Sequence, residues 1–151
     1  MDITTIGLDL AKTVFQVHGA DRKGQPVLRR KMRRGQVLKF FAGMPPCLIG
    51  MEACASAHYW AREIEALGHE VRLIPPQYVK PFVKTNKNDA ADAEAICEAL
   101  VRPTMHFASV KSADQQSALM LHRARELLVR QRTMLINALR GHCSEFGIVV
   151  S

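Results

Sequence analysis

Hydrophobic positions in the first part of the chain follow the two-residue repeat of β-strands. Residues 3–10 (ITTIGLDL) are mostly β-branched and apolar, as expected for a buried strand. Residues 13–19 (TVFQVHG) alternate more clearly, and the turn-forming sequence DRKG separates them from a third extended run at 26–33 (PVLRRKMR). The three runs predict an antiparallel meander of three strands.

Helical and extended patterns alternate over the next part of the chain. The predicted elements are helix 35–43, strand 47–52, helix 57–67, strand 70–74 and a helix at about 89–101. Pro45 and Pro46 end the first helix, Gly68 ends the second, and Asn88 is a candidate N-cap for the third. Three antiparallel strands followed by strand, helix, strand and helix is the order of an RNase H-like α/β domain, a mixed sheet with flanking helices.

The last forty residues predict one long helix. From about Ser112 to Cys143 there is no proline, and the first glycine is Gly141. Leucines recur every seven residues, with a second apolar position beside each: Leu121, Leu128, Leu135, Met120, Leu127 and Met134. This seam packs within the domain or against another subunit in a coiled coil, and we favour a homodimer or higher oligomer. The expected division is a catalytic domain at 1–110 and a helical segment at 111–151.

Charge and composition favour a nucleic-acid partner. Lys and Arg total 21 against 14 for Asp and Glu, which gives a formal net charge of +7. Such a balance favours a polyanion, although a merely soluble basic protein fits about equally well on this ground alone. Apolar runs stay far below the roughly 20 residues of a membrane span, and the N-terminus does not resemble a secretory signal. We therefore expect a cytoplasmic protein without membrane contact.

Four carboxylates form the candidate catalytic and metal-binding site: Asp9, Glu52, Asp89 and Asp92. Asp9 lies inside an apolar strand, where a carboxylate is costly without a partner or a cation. Glu52 ends another apolar strand, so the two acids converge if these strands lie side by side and parallel. Asp89 and Asp92 share a helix face. Oxygen ligands of this kind suit Mg²⁺ or Mn²⁺, which activates an attacking oxygen in phosphodiester transfer.

Each acid taken alone also has an ordinary structural explanation. Asp89 at a helix start is typical of a capping or dipole-stabilising residue, and Asp92 could be a solvent-facing helix charge. Glu52 could pair with a basic side chain, and a strand-end turn could explain Asp9. The set is more specific than its members. Flanking the acids, Lys12 and Lys87 are candidate phosphate contacts or simply solvated lysines.

A dense basic cluster falls on the third predicted strand and its flank. Residues 22–39 hold eight Lys and Arg side chains, and the candidate nucleic-acid contacts among them are Arg29, Arg30, Lys31, Arg33 and Arg34. Binding to a phosphate backbone would make affinity strongly salt-dependent. The alternative is a basic edge strand that resists aggregation. We favour nucleic-acid binding, and the sequence leaves open whether DNA or RNA occupies this strand.

Three motifs together resemble the N-terminal domain of the DEDD transposases of bacterial insertion sequences, the one-ten group related to the Piv invertases. They are GLDLAK with Asp9, GMEACAS with Glu52, and KNDAADAEAI with Asp89 and Asp92. The passage IPPQYVKPFVKTNKND also matches the family's approach to the last acids. The resemblance covers nearly all 151 residues.

The resemblance implies a RuvC-like fold and four acids that hold Mg²⁺ for DNA strand cleavage and exchange. It also implies transposition guided by a structured RNA, and a second, C-terminal domain with a nucleophilic serine. Ser144 and Ser151 do not lie in the matching serine motif, so neither is assigned as a nucleophile. We therefore expect this chain to be an incomplete recombinase.

Three functional hypotheses follow. The first is the catalytic domain of a metal-dependent transposase or site-specific recombinase. The second is a non-catalytic module for nucleic-acid binding and dimerisation, which the basic strand and the long helix favour. The third is a nuclease similar to Holliday-junction resolvases, which would cleave without a serine.

Overall fold

A mixed five-stranded sheet forms the centre of the computed structural model, which describes residues 2–84 and 89–150 but not the side chain of Asp89. The strands are β1 (Thr5–Asp9), β2 (Val14–Ala20), β3 (Pro26–Arg33), β4 (Leu48–Glu52) and β5 (Glu70–Ile74). Their order is β3-β2-β1-β4-β5. The first three strands pair antiparallel, whereas β4 is parallel to both β1 and β5. This confirms the predicted RNase H-like, RuvC-like arrangement.

The helices also lie close to their predicted positions. They are α1 (Val37–Ala42), α2 (Ala57–Glu65), α3 (Pro76–Val79), α4 (Asp89–Leu100) and α5 (Ala113–Ser144). The sequence predicts only the end of a strand at Pro75 and Pro76, but Pro76 also opens α3, which a 3-10 turn at Lys80–Phe82 follows. Proline's fixed φ suits the first turn of a helix, and its missing N–H costs nothing there.

The two faces of the sheet are covered by different helices. On one face, α1 and α2 bury Phe41 and Trp60 against strand residues such as Phe15 and Ile49. On the other face, α4 packs against β1, β2 and β4. The two faces follow from the alternation of side chains along each strand, so a residue's position in its strand decides which helices it meets.

Two strand glycines let α4 approach the sheet closely. A Cβ atom on Gly7 would meet the backbone oxygen of Ala93 and lie 2.7 Å from the backbone nitrogen of Cys97. A Cβ atom on Gly50 would lie 2.9 Å from Cδ2 of Leu100. Both separations are below ordinary van der Waals contact, which begins at 3.4 Å. The helix therefore rests on the bare backbone of β1 and β4.

A second unit begins at Lys111, after the compact unit that ends at Val110. Its helix α5 begins with a capping box: the Ser112 hydroxyl accepts a hydrogen bond from the Gln115 N–H, and the Ser112 N–H donates to the Gln115 side chain. With 32 residues, α5 is about 48 Å long. None of its described residues is buried. Among the described residues, no helix is long and apolar enough to cross a membrane.

Candidate functional site

Asp9 and Glu52 end two neighbouring parallel strands. The register of β1 and β4 places Leu8 opposite Met51, so Asp9 and Glu52 are the next positions along. Parallel strands end at the same edge of a sheet, and both carboxylates therefore lie at one edge. The condition that the sequence required for their convergence, adjacent parallel strands, is met.

Both acids face α4. Gly7 and Gly50 lie two residues before Asp9 and Glu52, and each turns its α-carbon hydrogen towards this helix. Because strand side chains alternate, residues two apart share a face. Asp92, on α4, completes the group: Asp9, Glu52 and Asp92 line one cavity of about 420 Å³. Three of the four predicted acids therefore meet in one cleft.

The remaining lining of this cavity comes from the segment between β5 and α4. It consists of Pro76, Val79, Lys80 and Val83. The helical turn that Pro76 starts places Val79 in the core and leaves Lys80 exposed. Carboxylates from the sheet and from α4 therefore line two sides of the cleft. The segment between β5 and α4 forms the third side, which is mainly apolar apart from Lys80.

The electrostatics of the cleft reflect this crowding of carboxylates. Burial raises the pKa of Glu52 above its usual value, the charge of Asp92 raises it further, and Lys80 opposes both effects. Burial likewise raises the pKa of the Cys54 thiol, with smaller contributions from the charges of Glu52 and Asp9. Both shifts disfavour negative charge, as expected for partly buried groups that also lie near carboxylates.

Two of the predicted site residues lie partly or wholly outside the described part of the chain. Asp89 is the first residue of α4, three positions before Asp92, but its side chain lies outside the described part. Lys87 lies outside the described residues altogether. Lys12 is exposed in the turn between β1 and β2 and is not among the residues that line the cavity.

The donor chemistry of the cleft fits a hard divalent cation. Carboxylate oxygens are the ligands that Mg²⁺ prefers, and a cation would offset both the burial of the Glu52 charge and its repulsion by Asp92, which raise the pKa of Glu52. Among the described side chains, which do not include that of Asp89, no three His, Cys, Asp or Glu residues are grouped closely enough to form a metal site. The three carboxylates share a cavity without yet forming a coordination shell.

Lys80 is the residue of this cleft that sequence reasoning missed. It lines the cavity with the acids and lowers the pKa of Glu52. A signal was present in PPQYVK, because a proline at the first helical position predicts a helical turn immediately after β5. Such a turn follows the strand edge where the acids collect.

The basic cluster is divided between the two faces of the sheet. Arg29 pairs with Glu94 of α4 at 3.3 Å. The Arg30 guanidinium instead lies over the ring of Phe40 on α1, 5.3 Å from its centroid. Next to β3, Arg34 stacks over Trp60 at 4.9 Å. The five basic residues that the sequence grouped together therefore have different surroundings.

Comparison with known proteins assigns the chain to a family. A family model described as a transposase, of the DEDD type of the IS110 insertion sequence, matches residues 6–147. The chain belongs to this transposase family. A relative from Pseudomonas aeruginosa named "Probable family 20 transposase" is 59% identical over 151 residues, which are 100% of this chain and 45% of the relative. The transposase for insertion sequence element IS1328 of Yersinia enterocolitica is 50% identical over 97% of this chain and 44% of its own length.

This chain spans less than half the length of these two curated relatives. Among solved structures, RuvC of T. thermophilus in complex with a Holliday junction substrate matches 64% of this chain and 91% of its own, with a TM-score of 0.48 and 13% identity.

Proposed function

We propose that this chain is the DEDD catalytic domain of a metal-dependent transposase, which cleaves and exchanges DNA strands. The observation that carries the proposal is the shared cavity of Asp9, Glu52 and Asp92. The membership in a transposase family supports DNA as the substrate. The chain spans less than half the length of these relatives, so the complete exchange reaction is assigned to proteins of the relatives' length.

The carboxylates are the proposed ligands of Mg²⁺ or Mn²⁺. Asp9 and Glu52 would contribute oxygens from the sheet, and Asp92, with Asp89 at the start of the same helix, would contribute from α4. When bound, such a cation supplies activation of an attacking oxygen and stabilisation of the leaving one. The side chains keep their charges only at the cost of mutual repulsion, so ion binding and their ionisation are coupled.

Titration calorimetry with Mg²⁺ and Mn²⁺ tests this site. We expect Asp9→Asn to abolish or strongly weaken binding by removing one ligand charge. Glu98→Gln is the matched control, since Glu98 is a carboxylate on α4 that pairs with Lys84 and does not line the cavity. Equal binding by the unchanged chain and Asp9→Asn would refute the proposed metal centre.

A second candidate function is a nuclease that cleaves branched DNA without a serine. The proposed metal cleft supports it, because two-metal or one-metal phosphodiester cleavage needs no protein nucleophile. Cleavage of four-way DNA junctions by this chain with Mg²⁺ or Mn²⁺ would favour this function. Inactivity on junctions, together with metal binding that Asp9→Asn removes, would favour the transposase catalytic domain over the nuclease.

A third candidate is a module that binds nucleic acid without cleaving it. The exposed basic residues of β3 support this function. It predicts binding of RNA or DNA that survives substitution of Asp9, Glu52, Asp89 and Asp92 together. An RNA guide, which the family resemblance implies, would show as tight binding of a structured RNA from the element in preference to an unrelated RNA of equal length.

The helix α5 is the proposed interface between copies. Its seam leucines are exposed, with Leu121 75%, Leu128 65% and Leu135 62% accessible. Apolar residues repeated every seven positions are typical of coiled coils. A homodimer through α5 would bring two carboxylate clefts into one assembly, as an exchange between two DNA segments requires.

Sedimentation equilibrium tests the proposed dimer. Each leucine buried in such a seam contributes about 1.5–3 kcal/mol, and a symmetric dimer buries it twice. We therefore expect Leu128→Ala to weaken dimerisation by about a hundredfold or more, at about 1.4 kcal/mol per factor of ten. Arg130→Ala, two positions along the helix and off the seam, should leave it nearly unchanged. A chain that is monomeric at all concentrations would refute this interface.

A further inference from the structure

A cross-strand row leads from the basic edge strand to the carboxylate cleft. Asp9 lies opposite Gln16 in the antiparallel pairing of β1 and β2. Gln16 in turn lies opposite Lys31 in the pairing of β2 and β3. Directly opposite residues of antiparallel strands share a face of the sheet. Lys31, Gln16 and Asp9 therefore stand side by side, with Glu52 next to Asp9 on the far side.

This row lies on the α4 face. Arg29, two residues before Lys31, reaches Glu94 of α4 through its guanidinium. His18 lies opposite Arg29 on β2. Burial lowers the pKa of His18, and the negative charge of the same Glu94 partly offsets this effect. Residues two apart share a face, so Gln16 and Lys31 face the same way as Asp9.

The cations on this face and on the opposite face are not equivalent. Lys31 and Arg33 are exposed and form no ion pair within residues 2–84 and 89–150. On the opposite face, Arg30 lies over Phe40. A guanidinium over an aromatic ring is held by the ring, whereas an exposed cation without a partner is free to meet a phosphate.

The spacing of the row suits a nucleic-acid backbone. Opposite Cα atoms are about 4.5–5.5 Å apart across an antiparallel pair, so Lys31 lies about 10 Å from Asp9 along the row. That distance corresponds to about three nucleotides at 3.4 Å per nucleotide along one strand of a duplex. The Gln16 amide between them can donate a hydrogen bond to a phosphate without adding charge beside the carboxylates.

We propose that the DNA strand cleaved at the acids crosses β2 and β3 along this row. Gln16 contacts the phosphates nearest to the cleft, and Lys31 and Arg33 contact those about two to three nucleotides away. This path rests on the proposed function, because it assigns the backbone of that substrate. It also assigns DNA contact to one face of β3 and excludes Arg30 from it.

Two charge-matched double variants test the path. Lys31→Gln with Arg33→Gln removes one lysine from the row and one arginine two residues further along the same face of β3. Arg30→Gln with Lys39→Gln removes the same charges from the opposite face. Lys39 is an exposed residue of α1. The probe is a short fluorescein-labelled DNA duplex, titrated with each chain at salt concentrations between roughly 50 and 200 mM.

Affinity falls as the salt concentration rises. We expect the plot of log affinity against log salt to be less steep for the row variant by about 1.8, at about 0.9 per lost phosphate contact. At about 0.1 M salt this corresponds to a loss of affinity on the order of 50-fold. The opposite-face variant should keep the slope and the affinity of the unchanged chain. Equal effects of the two variants would overturn the path, and so would a larger effect on the opposite face.

A single substitution tests Gln16 directly. Gln16→Glu adds a negative charge within the row and should weaken duplex binding. Gln25→Glu adds the same charge in the turn between β2 and β3, at the other end of these strands, and should have little effect. Circular dichroism and thermal unfolding of every variant establish that the fold is intact. Equal weakening by both glutamates would contradict the contact.

The failure of this path and the failure of the proposed function give different results. If Asp9→Asn abolishes metal binding while both double variants weaken DNA binding alike, only the path is wrong. If the unchanged chain binds no DNA duplex at any salt concentration, the proposed substrate is wrong and the path falls with it. Preference for RNA over DNA in the row-dependent binding would overturn the assignment of this surface to the cleaved strand.

Discussion

Substituting Gly7 by alanine provides a direct test of how the sheet positions the acidic helix. The added Cβ would lie 2.7 Å from the backbone nitrogen and 2.9 Å from the Cβ of Cys97, and it would also meet the backbone oxygen of Ala93. Ordinary contact begins at 3.4 Å. Because these are mainly backbone atoms of α4, no side-chain rotation relieves the clash, and the helix has to move by at least about 0.7 Å.

The expected cost follows from overpacking. Inserting a methyl group into a tightly packed contact costs about 1–3 kcal/mol. Replacing glycine in a strand returns about 0.5–1 kcal/mol of conformational entropy. Because the clash is with backbone atoms, the overpacking cost lies at the upper end of its range, and we expect Gly7→Ala to lower the free energy of unfolding by about 2 kcal/mol. Since Asp92 lies on the displaced helix, Mg²⁺ binding should weaken as well.

Urea denaturation followed by circular dichroism measures the stability change, and calorimetry measures the change in Mg²⁺ affinity. Gly35→Ala is the control, because a Cβ atom there meets nothing within 4 Å. Gly50→Ala should cost less than Gly7→Ala, since its contacts are the ends of the Leu100 and Ile96 side chains. A Gly7→Ala chain within about 0.5 kcal/mol of the unchanged one would refute the close packing, because that is the ordinary scatter of neutral substitutions.

Substitutions at three further positions test the cleft and its surroundings. In the absence of divalent cations, Glu52→Gln should raise the urea midpoint at pH 7, because the raised pKa of Glu52 means that its ionised form destabilises the fold; the gain should vanish as the pH falls below the ordinary carboxyl range, where glutamate is protonated in both states. Lys80→Gln should raise the pKa of Glu52 in a carbon-detected NMR titration, and Lys80→Arg should largely restore it; an unchanged pKa would contradict the proximity of Lys80. Arg34→Gln should cost about 0.5–2 kcal/mol by removing the stacked guanidinium, and it should alter the emission of Trp60, the chain's one tryptophan.

The strands and helices could be predicted because their local patterns are strong. β-Branched runs and the seven-residue leucine repeat of α5 each indicate one kind of element without tertiary information. The short helix α3 could not be predicted in the same way, because four residues are too few for a period. There the pairing of Pro75 with Pro76 has two meanings, the end of a strand and the start of a helix.

The acids could be predicted for a related reason. Asp9 lies within one apolar run and Glu52 ends another, and their meeting requires only that β1 and β4 be neighbours and parallel. Lys80 could not be found by the same argument, since a single lysine in the segment PQYVKPFV does not interrupt a predicted strand. Its importance arises from the fold of α3, which turns it into the cleft.

The basic residues of β3 show that charge in a sequence does not reveal which surface binds a partner. Arg29, Arg30 and Lys31 are adjacent in the chain, yet Arg29 meets Glu94 on one face and Arg30 meets Phe40 on the other. The alternation of side chains along a strand predicts that neighbouring residues face opposite sides of the sheet. Which acidic or aromatic side chain each of them meets there depends on how the helices pack on the two faces. Net charge therefore identifies a kind of partner and not the surface that holds it.

The register of β1 against β4 limits which in-frame insertions and deletions the gene for such a chain tolerates. A substitution within either strand alters one contact, whereas deletion of a single codon between Thr5 and Asp9 shifts every later residue of that strand to the other face. Asp9 would then point into the apolar layer beneath α2, and the strand's core residues would face α4. In-frame length changes in β1 or β4 should therefore be absent from active copies, while the turn at Asp21–Gln25 should accept them.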